Sequence, residues 1–267
     1  MRTISRLRLG AVRFSTLALL AGLLASGSAQ AGTITIYGGT DLSGRTNSDA
    51  AAASLRAAVL GLGETPRDID FESAPVGAFT SLGLGNGVTL TQSNNLAAGG
   101  IFGAPTTGAY NTTQAAGAAN YFLFATQYVP YGQTSTATAT FDFGQGVNAF
   151  GFYLTGLCQQ DLNSGAVAVS VNFNDGTSQS YNPTGNTTCG ATSGLNYFGF
   201  LDVGGSVASV TLTETENQNF DQSGNRWAYF VGVDDVMYAP VPEPASVALL
   251  GTGLFGLVGR AFRKRRR

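Results

Sequence analysis

The sequence predicts an all-β fold, an antiparallel β-sandwich of the jelly-roll type with one short helix near its N-terminus. Three observations lead there. Across residues 68–238 apolar side chains recur at every second position, as at Val167, Val169, Val171 and Phe173, which is the period of a strand with one buried face. Glycine, asparagine and aspartate punctuate these runs, and Asn174-Asp175-Gly176 stands where a hairpin turn into residues 177–181 is needed. Between the two chain ends only residues 50–60 have the composition of a helix. Many short strands joined by glycine-rich turns bury their apolar faces by pairing as two sheets.

Taken in order, residues 33–37 (TITIY) alternate as a strand that Gly38-Gly39 ends. Asn47-Ser48-Asp49 then precedes the alanine-rich run, and Gly61 follows it, so capping chemistry marks both helix ends. Leu55, Val59 and Leu62 fall on one face and are expected to pack on the body. Ile69-Asp70-Phe71-Glu72 opens the first strand of the main domain, and residues 88–91 form a second. Residues 93–120, rich in glycine, alanine and asparagine, read as long loops around short strands. Strands follow at 121–125, 134–143 and 147–154. In the second of these Ser135, Ala137, Ala139, Phe141 and Phe143 share a face, and in the third Phe150, Phe152 and Leu154 do. Residues 197–202, 207–215 and 227–238 complete the set.

The two ends have a different character. Residues 1–31 carry Arg2, Arg6, Arg8 and Arg13, an apolar run from 14 to 24, then Ala29-Gln30-Ala31. A basic start, a short apolar centre and an Ala-x-Ala site make a secretory signal peptide, with cleavage expected after Ala31. The run is too short for a membrane anchor. At the other end, Pro242-Glu243-Pro244 is followed by an apolar stretch, residues 245–262, with Arg260 its one charge, and then by Arg263-Lys264-Arg265-Arg266-Arg267. As a helix those 18 residues span about 27 Å, against a hydrocarbon core of roughly 30 Å, and Arg260 can snorkel to the headgroups. A buried C-terminal helix is the alternative, but five adjacent cations have no place in a core. The basic end stays in the cytoplasm, which places the body across the membrane. The expected organisation is therefore 1–31 signal peptide, 32–66 strand and helix, 67–239 sandwich, and 240–267 sorting segment.

Val241-Pro242-Glu243-Pro244-Ala245, a glycine-rich apolar span and a terminal arginine cluster resemble the PEP-CTERM sorting signal of Gram-negative bacteria. The resemblance implies recognition by a membrane-embedded exosortase, cleavage near the Pro-Glu-Pro motif, and delivery of the body to the cell surface or matrix. It also implies association with exopolysaccharide and biofilm. Glu243 is then a recognition element for another enzyme.

With both ends set aside, residues 32–240 keep four arginines against fifteen of the sixteen acidic residues, a net of −11. Such a body is repelled by phosphate backbones, so nucleic acid is excluded as a partner. The chain has no histidine, which removes Ser-His-Asp and Cys-His catalysis and the usual zinc and copper ligand sets. Its one lysine, Lys264, lies in the tail, so the body lacks Schiff-base and phosphate-loop chemistry. A non-enzymatic protein is expected. Cys158 and Cys189, an even pair in an exported chain, are expected to form a disulfide. Closing that loop stabilises by roughly 3 to 4 kcal/mol on the chain-entropy model.

Four constellations remain. Asp70 and Glu72 on the first body strand and Asp234 and Asp235 on the last would repel one another if gathered, unless a cation joined them; oxygen ligands of this kind suit a structural calcium. Val231-Gly232-Val233-Asp234-Asp235-Val236 resembles the closing strand of galactose-binding-like carbohydrate modules, whose acidic residue joins such a site. Tyr128, Tyr131, Tyr153, Tyr181, Tyr197 and Trp227 are aromatic faces available for stacking on an extracellular polysaccharide, Trp227 foremost. Glu214 and Glu216, two apart on a strand, have roughly the carboxyl separation of a glycosidase pair, although nothing else supports that reading and solvent-facing carboxylates leading into a loop are the far commoner case. Asn172, Asn174 and Asp175 are explained by their hairpin, and the Gly83-x-Gly85-x-Gly87 run by turns, since it opens a strand and no helix.

Overall fold

The computed structural model of the chain describes residues 32–41, 44–93, 99–103, 120–127, 133–155, 166–182, 195–216 and 230–241. Twelve strands and one helix occur among them: β1 (Thr33–Asp41), α1 (Thr46–Gly61), β2 (Arg67–Ile69), β3 (Ser81–Gly85), β4 (Val88–Ser93), β5 (Gly100–Phe102), β6 (Tyr121–Ala125), β7 (Ser135–Thr155), β8 (Ala166–Phe173), β9 (Ser178–Tyr181), β10 (Leu195–Val203), β11 (Val207–Glu216) and β12 (Phe230–Pro240). Every pairing is antiparallel. The predicted signal peptide, both cysteines, Trp227 and the sorting segment from 242 onward lie outside the described residues.

The sandwich is organised by β7, whose two halves have different neighbours. Residues 135–143 pair with β4 and β11, and residues 149–155 pair with β10 and β12. A straight strand would hold Phe141 and Phe150 about 30 Å apart, yet their ring centroids are 5.2 Å apart, and those of Phe143 and Phe150 5.7 Å. The chain therefore folds over at Gly144-Gln145-Gly146 and passes from one layer to the other. One layer runs β3-β4-β7-β11-β8-β9, and the second runs β1-β10-β7-β12, with β2 and β6 along the far edge of β12 and β5 beyond β6. The two strands expected at 134–143 and 147–154 are the arms of this one element.

The faces follow the expected alternation. Ala137, Ala139, Phe141, Phe150, Phe152, Leu154, Val169, Val171, Phe200 and Leu212 are fully buried between the layers. A second core lies on the outer side of the second layer, where α1 covers Ala149, Tyr153, Leu195, Tyr197, Leu201, Met237 and Ala239. Alternate positions of β7 and β10 are thus buried on both faces, a pattern that period-two reasoning reads as half exposed. The helix comes close because Gly151 and Gly199 face each other across the β7–β10 ladder. A Cβ on either would lie 2.8 or 2.6 Å from Leu55 Cδ2, so two adjacent glycines form the notch that seats Leu55. Burying that leucine contributes about 2 kcal/mol.

Several expectations need correction. Leu55 and Val59 are buried but Leu62 is 46% exposed, because the helix ends at Gly61 and Leu62 sits in its C-cap. The helix also begins at Thr46, ahead of the predicted Asn-Ser-Asp cap. Its first amides are satisfied by Asp41, whose carboxylate accepts the Asn47 N–H at 2.9 Å and the Ser48 N–H at 2.8 Å. The strand expected at 69–72 stops at Ile69, since Phe71 turns the chain with φ of 59°. β3 was hidden by its glycines; it forms a hairpin with β4 around Asn86-Gly87, whose positive φ values of 50° and 77° suit an Asn-Gly turn.

Candidate functional site

The acidic ends of the first and last body strands are brought near each other as expected, with Ile69 paired to Val236. Their carboxylates are not gathered. Asp70 lies beyond the end of the ladder, where its Oδ1 accepts the Glu72 N–H at 3.1 Å, and Glu72 Oε1 accepts the Asn120 N–H at 3.1 Å. In β12 a bulge interrupts the pairing with β7 between Asp234 and Met237, and Asp235 takes a φ of 46°. The bulge sets Asp234 opposite Tyr153, buried, with Oδ1 accepting the Asp235 N–H at 2.9 Å. Among the described residues no three carboxylates lie close enough to hold a metal ion. The expected calcium cluster of Asp70, Glu72, Asp234 and Asp235 is therefore not assembled, because a turn at one strand end and a bulge in the other send the side chains apart.

Glu214 is 1% exposed and pairs with Ala137, whose side chain lies in the core between the layers. It does not face solvent, contrary to the reading of a carboxylate leading into a loop; Glu216 is the last residue of β11. Of the aromatic candidates, Tyr153 and Tyr197 pack edge to face at 5.0 Å beneath α1, and Tyr181 packs on Phe198 at 5.9 Å. Tyr153 and Tyr197 are buried and structural, and Tyr181 is half-buried. Tyr128, Tyr131 and Trp227 lie outside the described residues.

Tyr153 belongs to a clamp at the start of α1. Its hydroxyl donates to Asp49 Oδ1 at 2.8 Å, Arg45 Nε donates to both Asp49 oxygens at 3.2 Å, and the Arg45 guanidinium lies 5.1 Å from the centre of the Tyr153 ring. Burial first, and the Asp49 carboxylate second, push the Tyr153 phenol well above its ordinary pKa. The ring is a hydrogen-bond donor that pins the helix and is unsuited to act as a base. A recess beside the β7 fold, lined by Gly87, Phe143, Gln145 and Tyr238, has a cavity volume of about 10 Å³, room for about one water.

Sequence reasoning missed two buried carboxylates, at opposite ends of the β1–β10 ladder. Asp41 is 4% exposed at one end, opposite Leu195. Burial raises its pKa, but the Asn47 and Ser48 hydrogen bonds outweigh burial and hold it below the usual value. Asp202, 0% exposed, lies at the other end opposite Ile34. Neither of its oxygens has a hydrogen-bond partner. Burial raises its pKa; the nearby Gly32 backbone N–H pulls it partly back, and Asp175 raises it further. The available signal was a lone acid inside the apolar run LNYFGFLDV, followed by Gly204-Gly205.

Residues 240–266 match the PEP-CTERM protein-sorting motif, which implies an exported protein anchored in the membrane before processing by an exosortase. No curated protein matches the chain in sequence. Among solved structures, the enzymatically active domain of bacteriophage CBA120 tailspike protein 4 is similar at 14% identity, over 65% of this chain and 22% of that chain, with a TM-score of 0.31. The Clostridium thermocellum xylanase 10B CBM22-1-GH10 modules, complexed with xylohexaose, are similar at 8% identity over 66% and 28%, TM-score 0.35. The CBM22-1 xylan-binding domain of Paenibacillus barcinonensis Xyn10C is similar at 10% identity over 67% and 97%, TM-score 0.29. The chain spans less than a third of the tailspike and xylanase chains.

Proposed function

We propose that this is an exported, non-catalytic β-sandwich protein of the cell surface or extracellular matrix, processed by an exosortase and working beside exopolysaccharide. The observation that carries the reading is the sorting motif at residues 240–266. The body supports it by what its ionisable groups do. Asp41 caps a helix, Asp49 clamps Tyr153, and Glu214 is buried in a strand; each is committed to the fold. The lack of histidine and of body lysine leaves acid–base and nucleophilic chemistry with few residues to use. A calcium-stabilised carbohydrate-binding module has less behind it, since its proposed ligands stand apart and two of its candidate rings, Tyr153 and Tyr197, are packed inside.

Replacing Pro242-Glu243-Pro244 with alanines in the producing cell tests the reading. The body is expected to accumulate in the membrane fraction at its unprocessed mass. Release and mass unchanged from wild type would overturn it.

A further inference from the structure

We propose that removal of the leader after Ala31 completes a buried ion pair: the new α-ammonium of Gly32 becomes the counter-ion of Asp202, locking β1 onto β10 only in the processed chain. The inference rests on the reading of residues 1–31 as a cleaved signal peptide.

Four observations converge on it. Asp202 is wholly buried with both carboxylate oxygens unpartnered, a costly state for an ion and one that a single cation would relieve. Gly32 is the residue packed against that carboxylate: a Cβ built on it would lie 2.5 Å from Asp202 Oδ1 and would overlap the Val203 carbonyl. Only glycine fits this position, and its backbone N–H faces the carboxylate closely enough to lower the pKa that burial raises. From the other side Gly205 closes over the same group, since a Cβ there would overlap both oxygens. The cradle is therefore shaped around Asp202 by two glycines, one of them the first residue of the expected mature chain.

The charges around the cradle make the need plain. Asp175, in the turn between β8 and β9, and Tyr181 on β9 are the titratable groups that Asp202 feels, and neither is a cation. Among the described residues the ion-paired arginines are engaged elsewhere, Arg45 with Asp49 and Arg56 with Asp68. Hydrolysis of the Ala31–Gly32 amide consumes one water and leaves a carboxylate on Ala31 and an amine on Gly32. That amine, protonated at neutral pH, offers three donors and a positive charge where the amide offered one donor and none. Thr33 pairs with Val203, so the new terminus is already held beside its partner.

The chain provides a clean probe. Lys264 is its sole lysine, so an amine-reactive acetylating reagent applied to the processed protein reports on the α-amine, with peptide mapping separating any retained tail. Protein recovered from producing cells is first placed by N-terminal mass, which should give a chain starting at Gly32. Its α-amine is then expected to acetylate at least tenfold more slowly than that of Asp202→Asn, and acetylation of unfolded wild type followed by refolding should lower Tm by roughly 3 to 6 °C at pH 7. A pair with Asp202 raises the amine pKa above its ordinary value near 8, so its stabilisation is complete below that value and lost as pH rises through the folded pKa. The Tm gap should close in that range. A chain that begins elsewhere overturns the signal-peptide reading and this inference with it. A chain that begins at Gly32 but whose amine reacts as fast in wild type as in Asp202→Asn, or whose acetylation leaves Tm unchanged, overturns the ion pair alone.

Discussion

The β1–β10 ladder buries an aspartate at each end, and the two are treated oppositely. Asp41 meets the opening turn of α1 and takes two amide hydrogens from it; Asp202 meets two glycines and no completed hydrogen bond. Neither side chain is more than 4% exposed; the Asp41 pKa falls and the Asp202 pKa rises. Burial raises the pKa of both carboxyls; at Asp41 the Asn47 and Ser48 donors outweigh it, and at Asp202 the Gly32 N–H does not. A helix delivers donors as part of folding. At the other end the proposed cleavage before Gly32 would add donors to the single backbone N–H that faces Asp202.

The comparison breaks most severely if the helix is loosened. Leu55→Ala empties the Gly151–Gly199 notch and should cost about 3 kcal/mol in urea unfolding, and because it frees the element that donates to Asp41, that carboxyl should titrate closer to its ordinary range. A loss below about 1 kcal/mol would mean that the notch does not anchor α1. Removing the acceptor itself, Asp41→Ala, should cost about 2 kcal/mol at pH 7. Its folded pKa lies below the unfolded one, so the stabilisation is present above the unfolded value and disappears as pH falls through the folded one. Wild type and variant should therefore converge in acid.

At the opposite end the sign reverses. In the chain that keeps its leader, Asp202→Asn removes an uncompensated charge and should stabilise by about 1 kcal/mol at pH 7. The Asp202 pKa is raised by folding, so its penalty is complete above the folded value and vanishes as pH falls below the unfolded one; thermal melts across that window would show the variant's advantage only at the higher pH. Smallest of all should be Arg56→Ala, which removes an exposed partner of Asp68. It should change stability by less than about 0.5 kcal/mol and lose even that in high salt.

How far the chain could be read ahead of its structure follows the same physics. The core faces of β7 and β8 were legible because alternation at Phe141, Phe150, Val169 and Val171 is a local pattern with one cause. The hairpin at Asn174-Asp175-Gly176 was legible for the same reason, with Gly176 at φ of 85°. What escaped depended on contacts distant in sequence. The notch for Leu55 needs Gly151 and Gly199 to meet, and nothing in either strand announces it. Asp41 as a cap lies six and seven residues from the amides it accepts, beyond the usual capping spacing. The acidic strand ends were correctly placed on neighbouring strands, but a bulge at Asp235 and a turn at Phe71 redirect the side chains, and neither irregularity is encoded by residue type.

The account depends on a chain trimmed at both ends, and intact mass spectrometry of the protein recovered from its producing cells tests that most directly. It predicts one species that starts at Gly32 and ends close to Pro242-Glu243-Pro244, without the arginine tail. A molecule carrying all 267 residues in its mature location would contradict it.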